Sequence, residues 1–169
     1  MKIAITGHRP NKLGNDYDLT SKLVKAIQAR IITELHDLAD IYGFGDIRLF
    51  TLISGVALGI DTLFAKIAIE YNIPFIAAIP CYGQEARWIE KSRKQYNEII
   101  NHPLCTKYYV SDQEYNNHCM QDRNIWMVDN CNVLIAVWNG SSGGTANCVK
   151  YAQSVGKEII RINPSTLVI

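Results

Sequence analysis

Leu134-Ile135-Ala136-Val137-Trp138-Asn139-Gly140-Ser141-Ser142-Gly143-Gly144-Thr145 is the stretch whose reading decides the fold. An apolar run stops at a loop carrying three glycines and three hydroxyl residues. Ala146-Asn147-Cys148-Val149-Lys150-Tyr151-Ala152 then resumes with helical spacing. The pattern predicts a buried strand, a glycine loop and a helix N-terminus. Glycine lets backbone approach a guest closely, and the first helical N–H groups with the helix dipole favour an anion. Phosphate is the anion this predicts, although many αβ turns serve only to connect elements.

Working outward, the same pattern repeats. Lys2-Ile3-Ala4-Ile5-Thr6 predicts a strand ending at Gly7-His8-Arg9-Pro10. Leu19, Leu23, Ile27, Ile31, Leu35 and Leu38 recur at three- and four-residue spacing, one face of a long helix that Asp18 or Thr20 would cap. Strands are expected at 48–54, 74–79, 107–110, 133–137 and 158–162. Helices are expected from about Gly59 to Tyr71, through Trp88, Tyr96 and Ile100, and through Met120, Met127 and Val128, opened by the polar stretch Ser111 to Asn117. Strands alternate with helices, and the inner strands are continuously apolar. That predicts an α/β chain: a Rossmann-like, doubly wound, mainly parallel sheet with helices on both faces. The 169 residues fit a single domain spanning 1–169.

In such sheets a ligand sits outside the carboxyl ends of the strands. Three of those ends carry glycine loops: Gly7–Pro10, Ser54–Asp61 and Asn139–Thr145. Together they predict one cleft lined by backbone N–H groups.

Composition removes several classes. Hydrophobic residues make up 48% and charged residues 20%, a globular balance. The net charge of +1 comes without a Lys/Arg run, which argues against a nucleic-acid partner. No apolar run approaches the ~20 residues of a membrane span, and Met1–Thr6 is broken too soon for a signal peptide. The five cysteines, at 81, 105, 119, 131 and 148, have no C-x-x-C spacing, so neither a zinc site nor a disulfide framework is indicated. The reading is a cytoplasmic protein needing no metal or other cofactor.

Three motifs resemble the SLOG superfamily, which groups YspA/YpsA-like proteins, LOG-type proteins and the DprA family. Ile5-Thr6-Gly7-His8-Arg9-Pro10 resembles the start of the YspA/YpsA-like branch. Ser54-Gly55-Val56-Ala57-Leu58-Gly59-Ile60-Asp61 is similar to the glycine motif shared with DprA. Met120-x-x-Arg123-Asn124-x-x-Met127, then Asp129, then Gly143-Gly144-Thr145, parallels the second half of LOG enzymes. The resemblance implies a Rossmann-like sheet whose glycine loops bind nucleotides or nucleotide-derived ligands. It also implies a homo-oligomer built through helices beside the site, with Trp126 a candidate to face the partner.

LOG enzymes release the base from nucleoside 5′-monophosphates. The resemblance places their arginine at Arg123 and a glutamate where this chain has Cys148, preceded by Asn147. A departing base builds oxocarbenium character that a carboxylate stabilises, and neither residue supplies one. Asp61 or Asp129 would have to compensate, or Asp129 braces its own helix. The catalytic candidates are therefore Arg123, Asp61 and Asp129. The expected ligand-binding set is Gly7, His8, Arg9, Ser54, Gly55, Gly59, Asp61, Arg123, Asn124, Asn139, Gly140, Ser142, Gly143, Gly144 and Thr145. Arg9 and Arg123 suit a phosphate or carboxylate bidentately, while His8 either donates to the ligand or satisfies its loop. Gln84 and Trp88 would share one side of a helix start, and Cys148, near a helix N-terminus, would have a lowered pKa.

The function this supports is binding of a nucleotide or nucleotide-derived small molecule, as a sensor or sequestering protein. The alternative is a nucleoside 5′-monophosphate phosphoribohydrolase or related N-glycosidase. A DprA-like DNA-binding role is the third reading, and charge counts against it.

Overall fold

The computed structural model describes residues 1–112, 116 and 118–167. Six strands form one sheet: β1 (Lys2–Gly7), β2 (Thr51–Ser54), β3 (Phe75–Ile79), β4 (Cys105–Tyr109), β5 (Val133–Val137) and β6 (Glu158–Ile162). Every pairing is parallel, and the order is β4-β3-β2-β1-β5-β6. Five helices connect them: α1 (Lys22–Ile41), α2 (Ile60–Glu70), α3 (Glu90–Ile100), α4 (Cys119–Asn130) and α5 (Gly144–Ser154). The chain winds outward from β1 to β4, returns to β5 beside β1, and winds the other way. The switch point therefore lies between β1 and β5, both buried central strands.

Register explains the continuous apolar runs. Phe75, Leu52, Ile3 and Val133 lie in one row across the sheet, and all four belong to the core beneath α1, α2 and α3. The next row is Ile76, Ile53, Ala4 and Leu134, which pack under α4 and α5. Successive side chains point to opposite faces, so a strand covered on both sides must be apolar at every position. The two faces differ in bulk. Ala4, Ala78, Cys148 and Ala152 are small side chains in the cluster on the α4–α5 side. Each large side chain buried on the other side contributes about 1.5–3 kcal/mol.

Several boundaries differ from the sequence reading. The cap of α1 is Ser21, whose hydroxyl accepts from Val24 N–H at 3.2 Å, not Asp18 or Thr20. The Asp16 carboxylate accepts the Ser21 N–H at 2.7 Å, which holds the preceding turn and delays the helix. We expect Ser21→Ala to cost about 1 kcal/mol, measured by urea denaturation. Asp46 caps a short 3₁₀ turn over Ile47–Leu49, so β2 starts at Thr51 rather than at 48. Gln84 and Trp88 both precede α3, which begins at Glu90, so they do not share a helix face. Trp126 stacks on Tyr108 within the chain, ring centroids 4.2 Å apart. Of the stretch expected to open α4, residues 113–115 and 117 lie outside the described residues. Among the described residues no helix is long and apolar enough to cross a membrane.

Candidate functional site

Because the strands are parallel, the three glycine loops leave the sheet at one edge. A cleft of about 210 Å³ opens there, lined by Thr6 and Gly7 at the end of β1 and Arg9 beyond it, Ala57 and Asp61 after β2, and Gly144 and Thr145 after β5. Helix α4 adds Met120, Arg123 and Asn124. A second recess of about 170 Å³ adjoins it, lined by His8, Asn11, Lys12, Ser141, Ser142 and Gly143. Arg9, Gly144 and Thr145 line both.

Asp61 and Arg123 form the floor of the larger cleft. The guanidinium Nη1 lies 3.4 Å from Asp61 Oδ2, and both side chains are about nine-tenths buried or more. Arg123 Nε also donates to Asn124 Oδ1 at 3.1 Å. Burial pushes the Asp61 carboxyl above the usual carboxylate range, while Arg123 and Arg9 pull it back. Burial likewise disfavours the Arg123 charge, which Asp61 supports. Arg123 stays cationic, since guanidinium does not deprotonate in proteins.

The glycines here serve packing more than guest approach. A Cβ on Gly55 would fall 1.3 Å from Arg123 Nη1, so the guanidinium occupies the space that glycine leaves. A Cβ on Gly7 would meet Ile60 at 2.6 Å. Gly59, at φ +97, approaches the His8 carbonyl so closely that a Cβ would sit 2.5 Å from it. Only Gly144 faces open space at the cleft wall, with no atom within 4 Å of a Cβ there. Val56, buried and β-branched, sits at φ 45, a strained left-handed conformation worth about 1–3 kcal/mol. The Ser54 hydroxyl holds that loop: it accepts from Val56 N–H at 3.1 Å and donates to the Asp61 carbonyl at 2.6 Å.

Other expected site residues act as braces between loops. His8 is buried, with its Nε2 2.9 Å from Asn139 Oδ1 and within 3.2 Å of the Asn139 N–H. Burial keeps His8 below its ordinary pKa, so the ring is neutral. Asn139 Oδ1 also accepts the Ser141 N–H at 3.0 Å. The Thr145 hydroxyl donates to the Gly7 carbonyl at 3.0 Å. Lys12 Nζ donates to Ser141 Oγ at 2.8 Å and to the Ser142 carbonyl at 2.9 Å, fastening loop one to loop three.

The structure thus brings Gly7, Arg9, Asp61, Arg123, Asn124, Gly144 and Thr145 around one cleft, with His8, Ser142 and Gly143 in the adjoining recess. Ser54, Gly55, Gly59, Asn139 and Gly140 line neither and support the walls from behind. Asp129 lies near the far end of α4, exposed, and accepts the Tyr151 hydroxyl at 2.9 Å, so it braces α4 against α5. Cys148 is fully buried, and desolvation pushes its thiol up to about 11, opposite to the helix-terminus expectation. Thr6, Ala57 and Met120 line the cleft, and Asn11 and Lys12 the recess, without having been placed in the expected binding set. Met120 stands one helical turn before Arg123, a spacing that marked it as a neighbour.

A parallel doubly wound sheet with a polar cleft at its switch point defines the class. The family model for DNA recombination-mediator protein A matches residues 46–167, and the chain belongs to that family. That membership supports the SLOG relationship drawn from the motifs. The chain is 33% identical over 105 residues to an uncharacterized SPbeta prophage-derived protein, YoqJ, of Bacillus subtilis, covering 55% of this chain and 61% of YoqJ. Its fold matches DNA processing protein A (DprA) from Streptococcus pneumoniae with a TM-score of 0.65 at 18% identity, covering 96% of this chain and 50% of that one. It matches DprA from Helicobacter pylori, whose structure is described for its single-stranded DNA binding mode, at 0.64 and 21% identity, covering 96% and 65%. The chain therefore spans about half to two thirds of the proteins it matches.

These findings correct the exclusion of a nucleic-acid partner. The overall charge of +1 was the wrong measure. It averages over the whole surface, whereas Arg9 and Lys12 gather at one edge of the sheet beside Arg123, whose buried charge Asp61 offsets.

Proposed function

We propose that this chain binds a nucleotide unit at the switch-point cleft, with its phosphate against the start of α5. The observation that carries this is Arg9. Its side chain is exposed, lines both recesses, and has no hydrogen bond or ion pair among the described residues. A guanidinium left free beside a helix N-terminus suits a phosphate bidentately. The N–H groups of Gly144, Thr145 and Ala146 precede the first intrahelical bond of α5, from Asn147 N–H to the Gly143 carbonyl, and need acceptors. Arg123, Asp61 and Asn124 would then meet the sugar or base.

Binding rather than turnover is the role these residues support. Cys148 is a neutral thiol under the cleft floor and Asp129 is remote, so of the carboxylates considered only Asp61 lines the cleft, where Arg123 already engages it. A single strand of DNA is the second reading, favoured by the family and by the H. pylori neighbour. On that reading the cleft holds one nucleotide of the strand.

Calorimetric titration tests both, with adenine and guanine mononucleotides and with a 5′-phosphorylated oligothymidylate. Arg9→Ala should weaken the bound probe about tenfold to a hundredfold, the loss of a charge-assisted contact. Its melting temperature should change little, because the Arg9 side chain makes no hydrogen bond or ion pair among the described residues and an Ala keeps the backbone bond from Lys12 N–H to the residue 9 carbonyl. Oligonucleotide affinity should also fall with added salt, as neutralised phosphates require. Failure of every probe to bind, or an Arg9→Ala protein that binds as well as wild type, would reject the proposal. Release of free base, followed by chromatography, would move the reading to the hydrolase and to Asp61.

A further inference from the structure

The floor of the larger cleft has hydrogen-bonding capacity that the protein does not use. A carboxylate has room for about four hydrogen bonds. Asp61 meets two donors, Arg123 Nη1 at 3.4 Å and the Ala57 N–H. Arg123 Nε is engaged by Asn124 Oδ1 at 3.1 Å. The guanidinium Nη2 and the amide NH2 of the Asn124 side chain donate to nothing among the described residues. Asp61, Arg123 and Asn124 all line the cleft, yet none exceeds 9% exposure, so little water reaches these unused sites. The groups are also held in place. The Ser54 hydroxyl donates to the Asp61 carbonyl at 2.6 Å. Gly55 lies so close that a Cβ there would fall 2.7 Å from Asp61 Oδ2 and 1.3 Å from Arg123 Nη1.

This set of groups selects its guest. The ionised Asp61 only accepts, while Arg123 and the Asn124 amide NH2 only donate. A phosphate suits the donors but is repelled by the carboxylate beside them, so it belongs with Arg9 and the start of α5. The floor instead suits a group that donates and accepts at once. In a nucleotide the unit bonded to the phosphate is the sugar, and its hydroxyls do both. Size agrees. A cleft of about 210 Å³ is smaller than the roughly 300 Å³ or more of pockets that enclose a whole small ligand. It therefore encloses the end nearest the phosphate and leaves the base outside.

We propose that Asp61, Arg123 and Asn124 bind the 2′ and 3′ hydroxyls of a ribose, so that the ligand is a ribonucleotide whose base projects from the cleft. The inference rests on the nucleotide reading of the cleft and deepens it by naming the sugar. A deoxyribose puts a methylene where Asp61 awaits a donor. The buried carboxylate then keeps an empty acceptor site, a loss of about tenfold to a hundredfold in affinity.

The test titrates the wild type by calorimetry with ribose 5-phosphate and with the 5′-monophosphates of adenosine, guanosine and their 2′-deoxy forms. Each ribonucleotide should bind about tenfold to a hundredfold tighter than its deoxy form. Ribose 5-phosphate should bind within about tenfold of adenosine monophosphate, because the base lies outside. This series decides the sugar without any variant. Asp61→Asn and Asn124→Ala, each shown to be folded by circular dichroism, then locate it: both should bring the ribose-to-deoxyribose ratio towards one. Deoxy forms that bind as tightly as ribose forms would overturn the inference and leave the cleft open to any nucleotide. Binding of guanine nucleotides alone, with either sugar, would assign Asp61 to the guanine N–H groups and overturn it too. A ratio that survives in both folded variants would move the sugar away from this floor. Absence of binding by every probe would remove the cleft reading together with the inference.

Discussion

Arg123→Ala is expected to remove nucleotide binding and to destabilise the protein by about 3 kcal/mol at neutral pH, much of a typical domain's margin. The reason is the carboxylate left behind. Asp61 and Arg123 are buried together, and removing one partner strands the other charge. The separation of 3.4 Å is long for a charge-assisted hydrogen bond, which argues for the lower end of the usual 3–5 kcal/mol. The loss should depend on pH in one direction. Burial already raises the Asp61 carboxyl, and without Arg123 only Arg9 and a backbone hydrogen bond at Ala57 oppose that rise. A carboxyl whose folded pKa exceeds its unfolded value of about 4 favours the folded state when protonated. That contribution is full below about pH 4 and is lost as pH rises through the raised folded value. The variant should therefore lie closer to wild type at pH 5 than at pH 7.5, measured by urea unfolding at both. Asp61→Asn placed in the Arg123→Ala background should recover much of the loss at pH 7.5. An unchanged double variant would show that the stranded carboxylate is not the cause.

Gly55→Ala and Gly59→Ala should both damage the site, by different routes that calorimetry and circular dichroism separate. At Gly55 the intruding Cβ meets the far end of a flexible side chain, and the backbone there is not in the left-handed region. The guanidinium can swing away only by leaving Asp61, which a Cβ there would itself meet at 2.7 Å, so the chain should lose up to about the 3 kcal/mol expected of Arg123→Ala while nucleotide affinity falls about as far. At Gly59 the Cβ meets the His8 carbonyl at 2.5 Å with φ at +97. Neither backbone segment has anywhere to go, and an L side chain is strained at that φ. We expect Gly59→Ala to lose about 3 kcal/mol or more of stability. A Gly55→Ala protein that binds as wild type would mean Arg123 does not need its present seat.

The layer architecture and the location of the cleft were legible in the residues because both follow from local chemistry. Continuous apolar runs such as Val133–Val137 demand cover on both faces, and three glycine loops after three parallel strands must emerge on one edge. The helix starts were less legible. Asp18 and Thr20 offer cap chemistry in the sequence, and so does Ser21, which takes the cap after the turn that Asp16 holds. The failed charge argument has a related cause, since composition counts charges without locating them. Cys148 shows it again: a position near a helix start suggests a reactive thiolate, but depth of burial reverses the sign.

The sequence by itself determined the order of elements, the parallel sheet, and which loops would gather at the switch point, because each depends on spacing within a short window. Tertiary structure alone decided what each loop residue does there. Gly55 is filled by Arg123, some seventy positions away, and His8 is spent on Asn139 across the switch point. Val56 holds a left-handed backbone that its own side chain opposes, and the Arg9 side chain has no hydrogen bond or ion pair among the described residues. These are outcomes of close packing between distant segments, where an ångström decides whether a group is braced, buried or free to meet a ligand.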